Sequence, residues 1–161
     1  MNVVITMKTA DVQNALKNAP GKIRASVLRT VTLLTTDIQA SVIGDKLSGQ
    51  VLHVRTGNLR GSVNKKVIES DKGYTGIVGT NVIYGRIHEY GFNGSVNVKA
   101  HLRMMNQAWG REVRNPHQVN VRSHSMTMRV PEKSFLRSTL KDFQPRILRD
   151  LKKAASKALK E

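Results

Sequence analysis

The chain contains no cysteine. A disulfide framework, a thiolate zinc site and a cysteine nucleophile are therefore excluded, and the composition fits a reducing cytoplasm. Aromatic residues make up only 4% of the chain, so the core has to come from Val, Leu, Ile, Ala and Met. A base-stacking platform for nucleic acid has correspondingly little to be built from. No stretch approaches the roughly 18 apolar residues that a bilayer-spanning helix needs. The opening MNVVITMKTADVQ has no charged lead followed by a long apolar run, so no signal peptide and no membrane association are expected. Acids are scarce, with 11 Asp and Glu against 27 Lys and Arg.

What is present describes a globular chain. Its 161 residues suit one domain, and a chain of this size buries about 70% of its unfolded surface. An apolar fraction of 39% and a charged fraction of 24% argue against disorder. The net charge of +16 predicts attraction to nucleic acid, acidic lipid or an acidic protein surface. It also predicts self-repulsion, so a homo-oligomer would need apolar contacts or acidic neighbours. The basic residues are spread along the chain, which implies a charged face, not a detached basic arm.

Hydrophobic periodicity places the elements. Val3 to Met7 reads as a short opening strand, and Thr9 or Asp11 as the cap of a helix. Ile23, Val27, Val31, Leu34, Ile38 and Val42 recur at spacings of three or four, with Leu28 and Ile43 widening the stripe, which predicts a long amphipathic helix. Pro20 and Gly21 precede it, and Gly44 is the expected stop. Residues 45–54 read as a loop with a few apolar anchors. Val63, Val67 and Ile68, then Asp71-Lys72-Gly73, then Tyr74, Ile77 and Val78 predict a hairpin. Residues 82–90 fit a short helix or turn, ended by Gly91.

The middle of the chain carries a near-repeat. Val96-Asn97-Val98-Lys99-Ala100-His101 is echoed by Val119-Asn120-Val121-Arg122-Ser123-His124. Both copies alternate apolar and polar residues, as half-buried strands do. They are expected to pair in one long hairpin with its tip around Ala108-Trp109-Gly110-Arg111. A hairpin reaching beyond a domain is commonly an interaction arm, so Val98, His101, Met104, Trp109, Val121 and His124 are candidate subunit-interface residues. Pro131-Glu132 opens the last element. Phe135, Leu136, Leu140, Phe143, Ile147, Leu148, Leu151, Ala155 and Leu159 form a helical stripe that Pro145 should kink or divide. Arg146, Arg149, Lys152, Lys153 and Lys157 give that helix a basic face, which would meet an acidic partner or DNA.

No catalytic constellation emerges. The five histidines do not form HExxH, although His101 and His124 could face each other across the hairpin. Two imidazoles fall short of a structural zinc site, which usually takes four ligands. There is no GxSxG elbow, no GxxxxGK[ST] and no GxGxxG. No enzyme activity, metal or cofactor is expected. The main competing function is nucleic-acid binding, for which the charge suffices, but no zinc finger, RRM signature or KH loop is visible.

Three segments together resemble one family. They are Arg55-Thr56-Gly57-Asn58-Leu59-Arg60-Gly61-Ser62; Val78-Gly79-Thr80-Asn81 running into Tyr84-Gly85-Arg86-Ile87-His88-Glu89-Tyr90-Gly91; and Val130-Pro131-Glu132-Lys133-Ser134-Phe135-Leu136-Arg137. Their order resembles the tail-completion, or head–tail joining, proteins of long-tailed bacteriophages, whose pattern is TGxLRxS, VGTxxxYAxxHEFG and a late RPFL. Gly85 stands where Ala is usual, Tyr90 replaces Phe, and Lys133-Ser134 replaces Arg-Pro. The resemblance implies turn and core roles for Thr56, Gly57, Leu59, Arg60, Gly79, Tyr84, His88, Glu89, Gly91, Phe135 and Leu136. It also implies a homo-oligomeric ring, a hexamer in the particle, in the neck of a virion assembled in the bacterial cytoplasm. The implied partners are a connector or head-closure protein and the tail terminator or tail tube, with possible contact to packaged DNA. The expected fold is a single α+β domain, with long N-terminal and C-terminal helices on a mainly antiparallel sheet and a projecting hairpin over about residues 95–130.

Overall fold

The computed structural model describes residues 21–70, 73–108 and 111–160. The expected strand at Val3–Met7, the cap at Thr9 or Asp11, the turn residues Asp71 and Lys72, and Trp109 lie outside them. The fold is α+β, with helices and antiparallel hairpins. By contacts the chain forms two compact units: one runs to Gly91 and resumes at Glu132, and the other is Phe92–Pro131.

Helix α1 spans Gly21–Ser41 and buries Ile23, Val27, Val31, Leu34 and Ile38, the 3.6-residue stripe of its sequence. It is rich in threonine, which competes poorly for helix. Here Thr30, Thr32, Thr35 and Thr36 each donate to the carbonyl four residues back, so even the buried Thr35 hydroxyl is satisfied. Gly44 does not stop the helix, and residues 45–47 are helical where a loop is expected, whereas Ser48 and Gly49 leave helical geometry. The chain continues in a π-type helical segment, Val42–Gln50, because Val42 and Leu47 are both buried and hold it to the core. It ends where Gly49 adopts a φ of 131°, and Val51 donates to the Lys46 carbonyl at 3.1 Å, the five-residue bond of a π turn.

A four-residue helix α2, Asn58–Gly61, leads into the hairpin β1 (Val63–Ser70) and β2 (Gly73–Thr80), paired from Val63↔Thr80 to Ser70↔Gly73. Its inner face presents Val63, Gly76, Val78 and Thr80 as buried positions. Gln39 donates to the Val63 carbonyl at 2.8 Å, tying α1 to the hairpin's start. Helix α3 is Ile83–Tyr90 and ends at Gly91, whose φ of 73° suits glycine.

Helix α4 runs as one element over Leu136–Lys160 with Pro145 inside it, so the proline does not divide it. Packing against α1 compensates: Ile147 and Ala154 are buried beyond the proline. Phe135, Leu136 and Ile147 join Leu34, Ile38, Val42, Leu47, Val63 and Val78 in the main core cluster, and Ile23, Val27 and Val31 form a second. Leu148, assigned to the apolar stripe, is 49% exposed. The helix rotates Thr139 and Ala154 inward instead, and the Thr139 hydroxyl donates to Phe135 O at 2.7 Å.

The second unit is a two-stranded ribbon in two segments, not one uninterrupted hairpin. β3 (Phe92–Val98) pairs with β6 (His124–Val130), and β4 (His101–Ala108) pairs with β5 (Arg111–Val121). Both segments keep one register up to a shift after Met105. Lys99-Ala100 and Arg122-Ser123 interrupt it.

Candidate functional site

The first two motif segments and the third from Glu132 onward converge in the first unit. Glu89, near the end of α3, has a side chain with no solvent exposure. Such a carboxylate is tolerated only when its lone pairs are filled, and here five donors fill them. Oε1 accepts from Ser134 Oγ at 2.9 Å, Arg137 N at 2.9 Å and Arg137 Nε at 3.1 Å. Oε2 accepts from Phe135 N at 2.8 Å and Leu136 N at 2.9 Å. The backbone donors are among the otherwise orphaned N–H groups at the start of α4, where the helix dipole also favours an anion. Glu89 thus caps a helix that begins 47 residues after it in sequence. Next to it, Lys133 N donates to the His88 carbonyl at 2.8 Å.

Arg137 completes the junction. It donates to the Glu89 carbonyl and to Glu132, and its guanidinium lies 4.5 Å from the Tyr90 ring centroid. Desolvation lowers the Arg137 pKa, but the bond to Glu89 and the charges of Glu132 and Glu89 outweigh it, for a net upward shift.

The first motif joins the second through a tight contact. Ser62 Oγ and Thr80 Oγ1 are 2.6 Å apart, and Thr80 Oγ1 also accepts from Val82 N at 3.2 Å. A Cβ on the buried Gly85 would lie 2.9 Å from Thr80 Cγ2 and 3.3 Å from Leu59 Cδ1. Leu59 packs on the main core from the turn. Gly57 holds a φ of 78° ahead of α2, and Asn58 N reaches Thr56 Oγ1 at 3.5 Å. Gly79 lies in β2 opposite Asn64. Three residues expected as turn and core are on the surface: Thr56 and Arg60 are exposed, and Tyr84 is 40% exposed with its ring edge-on to His88. All three line the outer wall of the junction.

That outer wall is an open groove of about 720 Å³. Val54, Arg55, Arg60, Tyr84, His88 and Lys133 are among its lining, which includes no carboxylate. Val54 lies outside the three motif segments, and Arg55 and Ser134 lie within them without being assigned a role; Ser134, which stands where Pro is usual, supplies a hydroxyl to Glu89.

The candidate interface residues fall on the ribbon. Val98 pairs with His124, and His101 with Val121, so the two histidines do not face each other. The repeat copies run antiparallel, which sets the valine of each against the histidine of the other. Each histidine bonds instead to the carbonyl two residues back, Lys99 or Arg122, at 2.9 Å. Met104 is 51% exposed and pairs with Gln118. In β3–β6 the half-buried positions are even-numbered, Phe92 to Val98 with Met128 and Val130. In β4–β5 they are Met105, Val113, Val119 and Val121.

The expected basic face of α4 is partly neutralised. Arg146 pairs with Asp37 and Asp150, and Arg149 with Asp150 at 3.0 Å. The hydrogen bond from Arg149 holds the Asp150 carboxyl below its usual value; partial desolvation opposes this, and the charge of Arg149 and the bond from Arg146 reinforce it. Lys152, Lys153 and Lys157 are exposed.

Among the described residues no three His, Asp or Glu side chains gather as a metal site requires, and no helix is long and apolar enough to cross a membrane. No protein-family model, curated protein or solved structure matches the chain.

Proposed function

We propose that the chain is a structural, non-enzymatic subunit of a bacteriophage neck that completes the tail and joins it to the DNA-filled head as a homo-oligomeric ring. The observation that carries this reading is the convergence of the three motif segments. Residues 55–62, 78–91 and 130–137 together, in their order, resemble the head–tail joining family, and they meet through Ser62–Thr80, Leu59–Gly85 and the Glu89 cap. A motif set that builds one buried junction specifies a fold and carries no chemistry, as an assembly subunit requires.

The ribbon supports the same reading. A two-stranded ribbon is at best marginally stable in isolation, and none of its described residues is fully buried. In a ring it would clasp a neighbouring subunit or the adjacent ring through Val98, His101, Met104, Val121 and His124. The test is cryo-electron microscopy of particles made with and without residues 103–117. The reading expects a sixfold ring between connector and tail for the full chain, and heads separated from tails for the deletion. Infectious particles from the deletion variant would overturn the clasp, and a neck lacking this chain would overturn the assignment.

A second reading, a nucleic-acid-binding protein, draws on the exposed Lys152 and Lys153 and the net charge of +16. It requires tight, steeply salt-dependent DNA binding by the isolated chain. Weak binding at physiological salt excludes it.

A further inference from the structure

The groove outside the Glu89 junction has a composition that identifies what it takes. Arg55, Arg60 and Lys133 are exposed, and none of their side chains forms a hydrogen bond or ion pair with a described residue. Between them stand Val54, 49% exposed, and Tyr84, 40% exposed. Unpaired cations around an apolar wall, without one carboxylate in the lining, match a ligand that is acidic and carries an apolar side chain. The groove between α1 and α4 is a useful contrast: Asp37 and Asp150 line it together with Lys153, Lys157 and Arg146, and both bond to Arg146, so that lining already holds carboxylates of its own.

We infer that the groove is a docking site for an acidic segment of a different protein chain, seated by an apolar anchor against Val54 and Tyr84 and by carboxylates on Arg55, Arg60 and Lys133. A second copy of this chain does not fit the role. It carries +16, and no two of its 11 acids are adjacent, so it has no acidic segment to offer. A bare phosphate backbone would use the cations but leave the apolar wall exposed to water. The volume accommodates one or two side chains of such a segment, and main-chain contacts along the rim would do the rest. This rests on the reading of the chain as an assembly subunit and gives that subunit a partner chemistry.

The test uses the full chain and fluorescence anisotropy with synthetic probes. One is a peptide of about 12 residues, rich in Glu and Asp, with a central Leu-Phe pair; a second lacks the apolar pair; a third is a single-stranded oligonucleotide of equal charge. The first probe should bind most tightly. The double variant R55E/R60E should weaken it about tenfold or more, and Tyr84→Ala should weaken the anchored peptide but not the unanchored one. K152E/K153E on α4 should change binding less than about twofold. All substituted side chains are exposed, and a circular-dichroism melt checks that each variant folds. Equal losses from both charge-reversal pairs would reduce the effect to bulk charge and overturn the proposal. So would an oligonucleotide that binds more tightly than the peptide and is lost with R55E/R60E, because the groove would then be a nucleic-acid site. Failure of peptide binding while the chain still forms a ring in imaged necks would sink the groove alone. A neck without the chain would sink the assembly reading and leave the peptide result standing.

Discussion

Around Glu89 a carboxylate without solvent exposure accepts five hydrogen bonds, whereas along the ribbon from Phe92 to Val130 none of the described residues is fully buried. The first region is internally complete. Its charge is enclosed, its backbone donors are matched, and no buried side-chain polar atom of the described residues lacks a partner. The second region has half of a solution: cross-strand pairs and a half-buried apolar face, but open edges and exposed Leu102, Met104 and Met126. The difference teaches where specificity is stored. The junction fixes one conformation of the chain, and the ribbon leaves contacts to be made with something else.

The comparison is most easily broken at Glu89. Replacing it by Ala strands the N–H groups of Phe135, Leu136 and Arg137 and the Ser134 hydroxyl in a buried site. The expected loss is about 3–5 kcal/mol, read as a large drop in the urea midpoint. A midpoint within error of the parent would show that the junction is not structurally decisive. Phe135→Ala, which empties a fully buried position, should cost a similar ~3–5 kcal/mol.

Gly85→Ala is a finer probe of the same region. Alanine should gain about 1 kcal/mol of helix propensity in α3, yet its Cβ would meet Thr80 Cγ2 at 2.9 Å. Thr80 cannot swing aside without breaking its contacts with Ser62 and Val82, so overpacking of about 1–3 kcal/mol should win. Melting temperature decides it, and a rise would show that Thr80 yields. On the ribbon, Val98→Ser with Val121→Ser should shift the urea midpoint by less than about 0.5 kcal/mol equivalent while abolishing ring assembly in sedimentation or particle imaging. Intact assembly would show that these valines do not form the contact.

The smallest expected effect is electrostatic. Asp150 has a lowered pKa in the folded chain, so its pairing contributes stability that is present above the unfolded value of about 3.9 and is lost as pH falls through the folded value. Asp150→Asn should therefore flatten the urea midpoint's dependence on pH slightly in that acid window and leave it unchanged near neutrality. Added salt should shrink the difference. A variant whose loss is largest at neutral pH would contradict that sign.

Much of the fold was legible in the chain. The stripe from Ile23 to Val42 announced α1, and the alternation around Asp71-Lys72-Gly73 announced β1 and β2. The Val-Asn-Val repeats announced the ribbon, because periodicity is a local signal. Less legible were the points where a distant residue decides. Gly44 has the local signature of a stop, but buried Val42 and Leu47 carry the helix past it. Pro145 should disturb α4, but core contacts on both sides of it keep one helix. The groove was missed because Tyr84 and Lys133, which complete it, lie far along the chain from Val54, Arg55 and Arg60.

The sequence by itself determined the α1 stripe, the β1–β2 hairpin, the excess of positive charge and the absence of cysteine chemistry, since each follows from composition or from spacing within a few residues. Only the tertiary structure decided that Glu89 caps α4, that Arg60 and Tyr84 face outward, and that His101 and His124 each oppose a valine. The physical reason is common to all three. A hydrogen bond, a burial and a cross-strand register depend on where residues tens of positions apart come to rest, and that is a property of the packed chain.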